Sequence, residues 1–152
     1  MKRLLAVFAL LCLPLAAVAE EGYSVQFKAQ GAYQDVRDSL QMAIEGKGLK
    51  VNHTNLIAEM LERTGKDIGA TKQVYTAGEQ FEFCSATVSR QMMEADPHAI
   101  ALCPYIISVY TVPGDATVYL AYRKPPATTN PALAKALAEV ERMITEIIQD
   151  AM

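Results

Sequence analysis

The sequence has no tryptophan, and its 152 residues include only three cysteines and two histidines. No Cys-X-X-Cys, Cys-X-Cys or His-X-His doublet is present, so the common zinc-binding and thioredoxin-type motifs are excluded. Glycine-rich phosphate loops and a complete hydrolase triad are also missing. Because no complete catalytic motif is found, the sequence assigns no reaction and favours a binding or interaction domain over an enzyme.

An excess of positive charge is missing as well. Lysine and arginine number 14 against 17 aspartates and glutamates, which gives a formal net charge of −3 at pH 7. Proteins that bind nucleic acid favour a basic stripe that follows the polyanionic backbone. The composition therefore predicts no nucleic-acid partner and no stable anchoring on an anionic membrane.

The N-terminus carries the only long apolar run of the sequence. A cationic head at residues 1–3 precedes an apolar core at residues 4–15, and Ala17-Val18-Ala19 follows. This order is typical of a cleaved secretory signal peptide, and the core is shorter than the about 20 residues of a membrane-spanning helix. We predict that residues 1–19 are removed and that residues 20–152 are periplasmic. Loss of the two cationic residues in the head would change the net charge from −3 to −5.

The mature part of the chain mixes two periodicities. Alternating apolar and polar residues predict strands, and apolar residues every three or four positions predict helices. A hairpin is predicted around Pro113-Gly114-Asp115, and Asn130-Pro131 is a typical helix start. The elements do not alternate as in a doubly wound fold, so we predict an α+β domain with a largely antiparallel sheet and helices packed on one face. The predicted strands cover 23–28, 49–54, 74–75, 79–84, 105–112 and 116–122, and the predicted helices cover 33–45, 56–64, 87–95 and 131–152.

Four segments of the chain form a recognisable combination: Glu59 to Asp67, Glu82 to Ala86, Ser89 to His98, and Leu102-Cys103-Pro104-Tyr105. Together they resemble the bacterial domain of unknown function 302 family, in its exported branch. The resemblance covers roughly residues 23–124, and residues 125–152 are predicted to be an amphipathic helical extension of the domain at 20–124. It implies a small α+β domain that pairs as a homodimer, and it implies no reaction.

The two cysteines that remain after processing, Cys84 and Cys103, leave two interpretations open. In an oxidising compartment an even pair within a small domain most often forms a disulfide. Alternatively, Cys84 lies just before a predicted helix, where backbone N–H groups lower a thiol pKa, and the pair then acts as a redox couple. The first interpretation predicts a stapled binding domain and the second predicts a reactive thiol.

A soft-metal site is a further alternative. Cys84, Met92, Met93, His98 and Cys103 fall within twenty residues, and thiolate, thioether and imidazole are ligands that Cu(I) accepts. Adjacent methionines point about 100° apart on a helix, and a methionine there usually fills the core. We therefore predict no cofactor in the main interpretation and copper in the alternative, with His53 as a further candidate ligand.

Two arginines are candidates for an anion site. Arg90 lies on the predicted helix that follows Cys84, and Arg63 lies near the end of the second predicted helix. A solvated helix face is the favoured explanation of Arg90, and the residues around Arg63 are those of an ordinary helix C-terminus. Neither pattern names a ligand, so the predicted partner besides a second copy of the chain stays unidentified.

Overall fold

Six strands form one antiparallel sheet in the computed structural model, which describes residues 19–152. The sheet order is β1-β2-β6-β5-β4-β3, and every neighbouring pair is antiparallel. The strands are β1 (Ala19–Glu21), β2 (Ser24–Ala29), β3 (Val51–Asn55), β4 (Ala77–Phe83), β5 (Tyr105–Thr111) and β6 (Val118–Arg123).

Four α-helices and one 3-10 helix connect and cover these strands: α1 (Tyr33–Gly46), α2 (Ile57–Asp67), α3 (Ala86–Ala95), the 3-10 helix Pro97–Leu102 and α4 (Pro131–Asp150). Asn130 caps α4, because its side-chain oxygen accepts hydrogen bonds from the backbone N–H groups of Ala132 and Leu133. Two local predictions are wrong. The helix expected to end at Gly65 continues to Asp67, and Val74-Tyr75 is not a strand.

The hydrophobic core lies between one face of the sheet and the helices α1, α3 and α4. Every second residue of β5 is buried, from Tyr105 through Ile107 and Val109 to Thr111. Helix α4 contributes seven buried side chains, of which Ile147 and Ile148 are completely inaccessible to solvent. The C-terminal helix is therefore an integral part of the same core.

Among the described residues, the opposite face of the sheet is covered only by α2 and by Tyr75 of the segment that follows it, and we call it the open face. Helix α2 has no buried residue, although it contacts β4. The contact lies at Gly78, where an added Cβ would be 3.6 Å from Ala58 Cβ and 3.4 Å from Tyr110 Cβ. These are ordinary contact distances, so alanine fits at this position and a side chain larger than alanine would press against the helix.

The predicted α+β class with its antiparallel sheet is confirmed, but the helices do not all pack on one face, because α2 lies against the open face. None of the helices within residues 19–152 has the length and apolar character needed to cross a membrane. The predicted signal peptide lies outside the described residues, apart from Ala19, the residue before its cleavage site, where β1 begins.

Candidate functional site

A groove of about 300 Å³ lies on the open face, over the central strands and beside the N-terminal end of α2. Alternation along the strands brings its polar side chains to this face, because their neighbours in sequence point into the core. Apolar and polar side chains both line it, and the polar ones carry hydroxyl, amide, guanidinium or carboxylate groups. The lining residues include Tyr23, Gln26, Ile57, Tyr75, Gln80, Ile106, Ser108, Tyr110 and Arg123.

Tyrosines form a continuous aromatic row along this face. The ring centroids of Tyr75 and Tyr110 are 5.5 Å apart, with the rings edge to face at 71°. The rings of Tyr110 and Tyr119 stack at 5.3 Å with an angle of 16°. Burial raises the pKa of Tyr110 above its ordinary value, so its hydroxyl stays protonated at neutral pH.

One end of this row is fixed by a carboxylate. Tyr119 donates a hydrogen bond of 2.6 Å from its hydroxyl to Asp115, in the turn between β5 and β6. This hydrogen bond, together with the backbone N–H of Thr117, lowers the pKa of Asp115 to about 2. The tyrosine row is therefore tied to the hairpin turn at any pH near neutral.

Hydrogen bonds between strands orient the polar side chains of the groove. The side-chain amide of Gln80 on β4 donates to the hydroxyl oxygen of Ser108 on β5 at 3.1 Å. Because the oxygen of Ser108 accepts this bond, its own hydroxyl hydrogen remains free to donate to a ligand. The register that pairs Gln80 with Ser108 sets this arrangement.

Arg123 carries the only cationic side chain among the residues that line the groove. The other charged lining residue is Glu79, whose carboxylate receives a 3.1 Å hydrogen bond from Arg37 on α1, on the helix-covered face. None of the ion pairs found in the described part of the chain involves Arg123. Within the described residues, Arg123 therefore gives the groove a positive charge that no ion pair neutralises.

The two cysteines form a second cluster, at the edge where β4 ends and β5 begins. Phe83 pairs with Tyr105 in the register of these strands, which brings Cys84 and Cys103 to 4.2 Å from each other. Both are half-buried free thiols in this structure. The proximity expected if the two strands were neighbours is therefore present.

Hydroxyl groups complete the thiol cluster. The hydroxyl oxygen of Ser89 on α3 is 3.4 Å from Cys103 Sγ and 3.1 Å from the Tyr105 hydroxyl. Burial, followed by the neighbouring Cys103, raises the pKa of the Cys84 thiol, and burial raises the pKa of Tyr105 to about 12. The direction is opposite to the lowered Cys84 pKa expected at the helix start, because loss of solvent and the neighbouring Cys103 outweigh the hydrogen bond from the Tyr105 backbone.

The structure separates the remaining predicted metal ligands. Met92 is completely buried in the core, Met93 is half-buried, and His98 is exposed on the 3-10 helix. His53 is exposed on β3, paired with Glu82. Within residues 19–152 no cluster of three or more histidine, cysteine, aspartate or glutamate side chains has the arrangement of a metal site.

The two candidate anion-binding arginines lie on exposed helix surfaces. Arg90 forms a 2.8 Å ion pair with Glu94 one turn later on α3. Arg63 is exposed on α2, outside the groove. The groove residues Gln80, Ser108 and Arg123 were not predicted from the sequence. Their alternation with buried neighbours was the available signal, but it does not show which face stays uncovered.

Comparisons with known proteins agree with this architecture. The family model described as "Domain of unknown function DUF302" matches residues 23–151, which includes α4. A solved structure described as an uncharacterized conserved DUF302 protein from Bacillus stearothermophilus superimposes with a TM-score of 0.73 at 15% identity. The superposition covers 87% of this chain and 100% of that chain, and it shows a shared fold. No curated protein matches the chain.

Proposed function

This chain belongs to the DUF302 family of domains of unknown function, and we propose that it is an exported, dimeric domain that binds a small molecule in the groove. The observation that carries the proposal is the open face itself. A groove of about 300 Å³ with apolar walls and a few convergent polar groups is at the lower end of the range for small-molecule sites.

The two faces of the sheet differ in what covers them, and this difference supports the proposal. Helices α1, α3 and α4 bury one face and account for the core, so the side chains of the other face are not needed to hold it together. Gln80 and Ser108 nevertheless form an ordered hydrogen bond there, beside Ile57 and Ile106. Preformed polar groups beside exposed apolar surface are what a ligand site requires.

A fragment screen tests the groove as a binding site. The mature protein would be titrated with a mixed set of anionic, cationic and neutral fragments while backbone amide shifts are followed by NMR. We expect shifts at Gln26, Gln80 and Ser108, and loss of these shifts in Gln80→Trp, whose indole fills the groove. The matched control is Gln34→Trp on the exposed surface of α1. Absence of groove shifts with every fragment would refute the proposal.

Dimerisation is proposed through the exposed side of α2. Leu56, Met60 and Ile68 follow one another along this side, and they are 46%, 41% and 75% exposed. Leu56 and Met60 are one turn apart, and Ile68 follows just beyond the helix end, with Thr64 between Met60 and Ile68. We call these three apolar residues the α2 stripe, which a chain in water gains free energy by covering. A second copy would cover the α2 stripe with an identical surface, as two-fold symmetry requires.

Sedimentation of two matched variants tests this interface. Met60→Glu places a charge in the α2 stripe and is expected to shift the protein toward monomer. Met42→Glu introduces the same change on α1, where Met42 is 64% exposed and lies outside the stripe. A wild type that sediments as a monomer, or equal loss of dimer in both variants, would contradict the α2 interface.

Export and a Cys84–Cys103 disulfide belong to the same proposal. Closing the disulfide requires the two sulfur atoms to approach to about 2.05 Å. Both residues lie just outside the strands they flank, so a small adjustment of the connecting segments suffices. Oxidation would transfer two electrons and two protons from the thiols to a disulfide oxidant of the periplasm. The N-terminal residue of the periplasmic protein is expected to be Glu20.

A thiol-based function is the second candidate, because the 4.2 Å approach of the two cysteines also suits a reversible couple or a two-thiolate Cu(I) site. The raised pKa of Cys84 favours a structural disulfide over a reactive thiol, since the thiolate is the reactive species and a raised pKa reduces its population. Native mass spectrometry of protein purified without reductant distinguishes the two. Unreactive thiols with no adduct support the staple, whereas alkylated Cys84 or a mass excess removed by chelator supports the thiol function.

A further inference from the structure

We propose that the ligand of the groove is a small planar aromatic carboxylate, an inference that rests on the proposed binding function. Three properties of the groove support this ligand: the aromatic character of its walls, the sign of its charge and its volume. None of these properties alone selects a ligand, but each removes a class of candidates.

The walls select a flat ring. Tyr23, Tyr75 and Tyr110 line the groove together with Ile57 and Ile106. Aromatic side chains prefer offset-stacked or edge-to-face partners, with ring centroids about 4.5–7 Å apart. Tyr75 and Tyr110 already adopt such an edge-to-face arrangement with each other, and a planar ligand would extend it. A flexible polar ligand such as a sugar would leave the apolar wall poorly covered.

The positive charge of the groove favours a ligand that carries one negative charge. Among the described residues of the lining, Arg123 is the single cationic one, and the carboxylate of Glu79 is held by Arg37 on the other face of the sheet. A guanidinium binds a carboxylate through two parallel hydrogen bonds. A phosphate dianion would leave charge uncompensated beside one arginine, whereas a carboxylate is matched by it.

The neutral polar groups supply further donors to such a ligand. Gln80 donates to the oxygen of Ser108, and the hydroxyl hydrogen of Ser108 is therefore available to donate to another acceptor. A carboxylate oxygen or a ring hydroxyl can take this hydrogen bond. Gln26 on β2 adds a side-chain amide to the lining. The polar set thus contains donors for an anion.

The volume limits the ligand to one or two rings. A groove of about 300 Å³ is at the small end of ligand sites, which extend from about 300 to 1,000 Å³. A dinucleotide cofactor exceeds this space, and a single ion leaves most of it empty. A monocyclic or bicyclic aryl acid fits between these limits.

Titration with three probes of one shape tests the inference. Benzoate, benzamide and benzylamine carry a negative, a neutral and a positive group on the same ring. The full mature protein would be titrated with each while amide shifts at Gln80 and Ser108 are followed. We expect benzoate to bind about tenfold or more tightly than benzamide, which is the value of one charge-assisted hydrogen bond, and benzylamine to bind most weakly.

Two arginine variants test whether Arg123 is the residue that binds the carboxylate. Arg123→Gln is expected to remove the preference for benzoate and to leave benzamide binding unchanged. Arg63→Gln removes the same charge from the exposed surface of α2 and is expected to bind all three probes as the wild type does. Loss of benzoate binding in Arg63→Gln instead of Arg123→Gln would overturn the inference.

The outcomes separate this inference from the proposed function. Equal groove shifts with benzoate and benzamide would overturn the anionic ligand and leave the groove a binding site. If the fragment screen shifts the groove but none of the three aromatic probes does, the aromatic carboxylate is overturned by itself. If neither the screen nor the probes shift groove residues, the binding function fails as well.

Discussion

A Cys84–Cys103 disulfide should stabilise the domain by an amount set by the length of the loop that it closes. The two cysteines are 19 positions apart, and the intervening chain comprises α3 and the 3-10 helix. In the chain-entropy model a loop of this size is worth about 3 kcal/mol, mainly because cross-linking restricts the unfolded chain. The two residues are already 4.2 Å apart, so we expect little strain in the folded state to offset this gain.

The magnitude translates into a measurable change in melting temperature. For a domain of this size, about 1 kcal/mol shifts the midpoint by roughly 2–4 °C, so the oxidised protein should melt about 6–12 °C above the reduced protein. The assay is thermal unfolding by circular dichroism with and without dithiothreitol, on protein whose disulfide has been verified by mass. Reductant should have no effect on the Cys84→Ala/Cys103→Ala variant.

Two results would refute this reasoning. Oxidised and reduced protein that melt at the same temperature would show that the loop is equally restricted in the unfolded chain without the disulfide. A reductant effect that persists in the double variant would show that the shift does not come from these cysteines. Protein from the periplasm with two alkylatable thiols would instead remove the disulfide from the proposed function.

Three further predictions concern stability. Ile148→Ala, at a fully buried position of α4, should lower the free energy of unfolding by about 2–5 kcal/mol in urea denaturation, whereas Gln149→Ala at the next, exposed position should have little effect. Asn130→Ala should lower it by about 1 kcal/mol by uncapping α4, and Asn130→Asp should keep most of the cap. Asp115 has a folded-state pKa of about 2, below its ordinary value, so its contribution is present above about pH 4 and is lost as the pH falls toward 2. Tyr119→Phe should raise this pKa in an NMR titration, and an unchanged pKa would contradict the assigned hydrogen bond.

Much of the fold could be predicted because its signals are local. The β-rich runs at 105–112 and 116–122, joined by Pro113-Gly114-Asp115, predicted β5 and β6, and buried residues fall on every second position of β5. The start of α4 was predicted because Asn130 and Pro131 satisfy the helix end by their own chemistry. Helix α2 was predicted to stop too early because Gly65 does not adopt a positive φ there, and its backbone stays helical.

The candidate site could be predicted only in part because it depends on long-range pairing. The approach of Cys84 and Cys103 follows from one assumption, that the strands beside them are neighbours, and that assumption holds. The groove depends on β2, β4, β5 and β6 together and on which face α2 covers. No local sequence pattern determines which face α2 covers, so nothing in the sequence distinguishes Arg123 from an ordinary residue at a strand end.

The position of α2, and with it one end of the groove, depends on a glycine that is not required for backbone conformation. Gly78 has no positive φ, so alanine is sterically allowed at this strand position, and its Cβ would make ordinary contacts of 3.4–3.7 Å. We expect Gly78→Ala to keep the fold and the groove, with α2 seated as in the wild type.

A larger side chain at the same position should destabilise α2 on the open face and leave the core on the other face as stable as before. Gly78→Leu would push against Ala58 and Tyr110, and α2 contributes no buried side chain that could resist. We expect faster amide hydrogen exchange in α2 and weaker groove binding in Gly78→Leu, with unchanged exchange in α4. Equal loss of protection in α2 and α4 would show that α2 is part of the cooperative core, because a helix without a fully buried side chain should open without the rest of the domain.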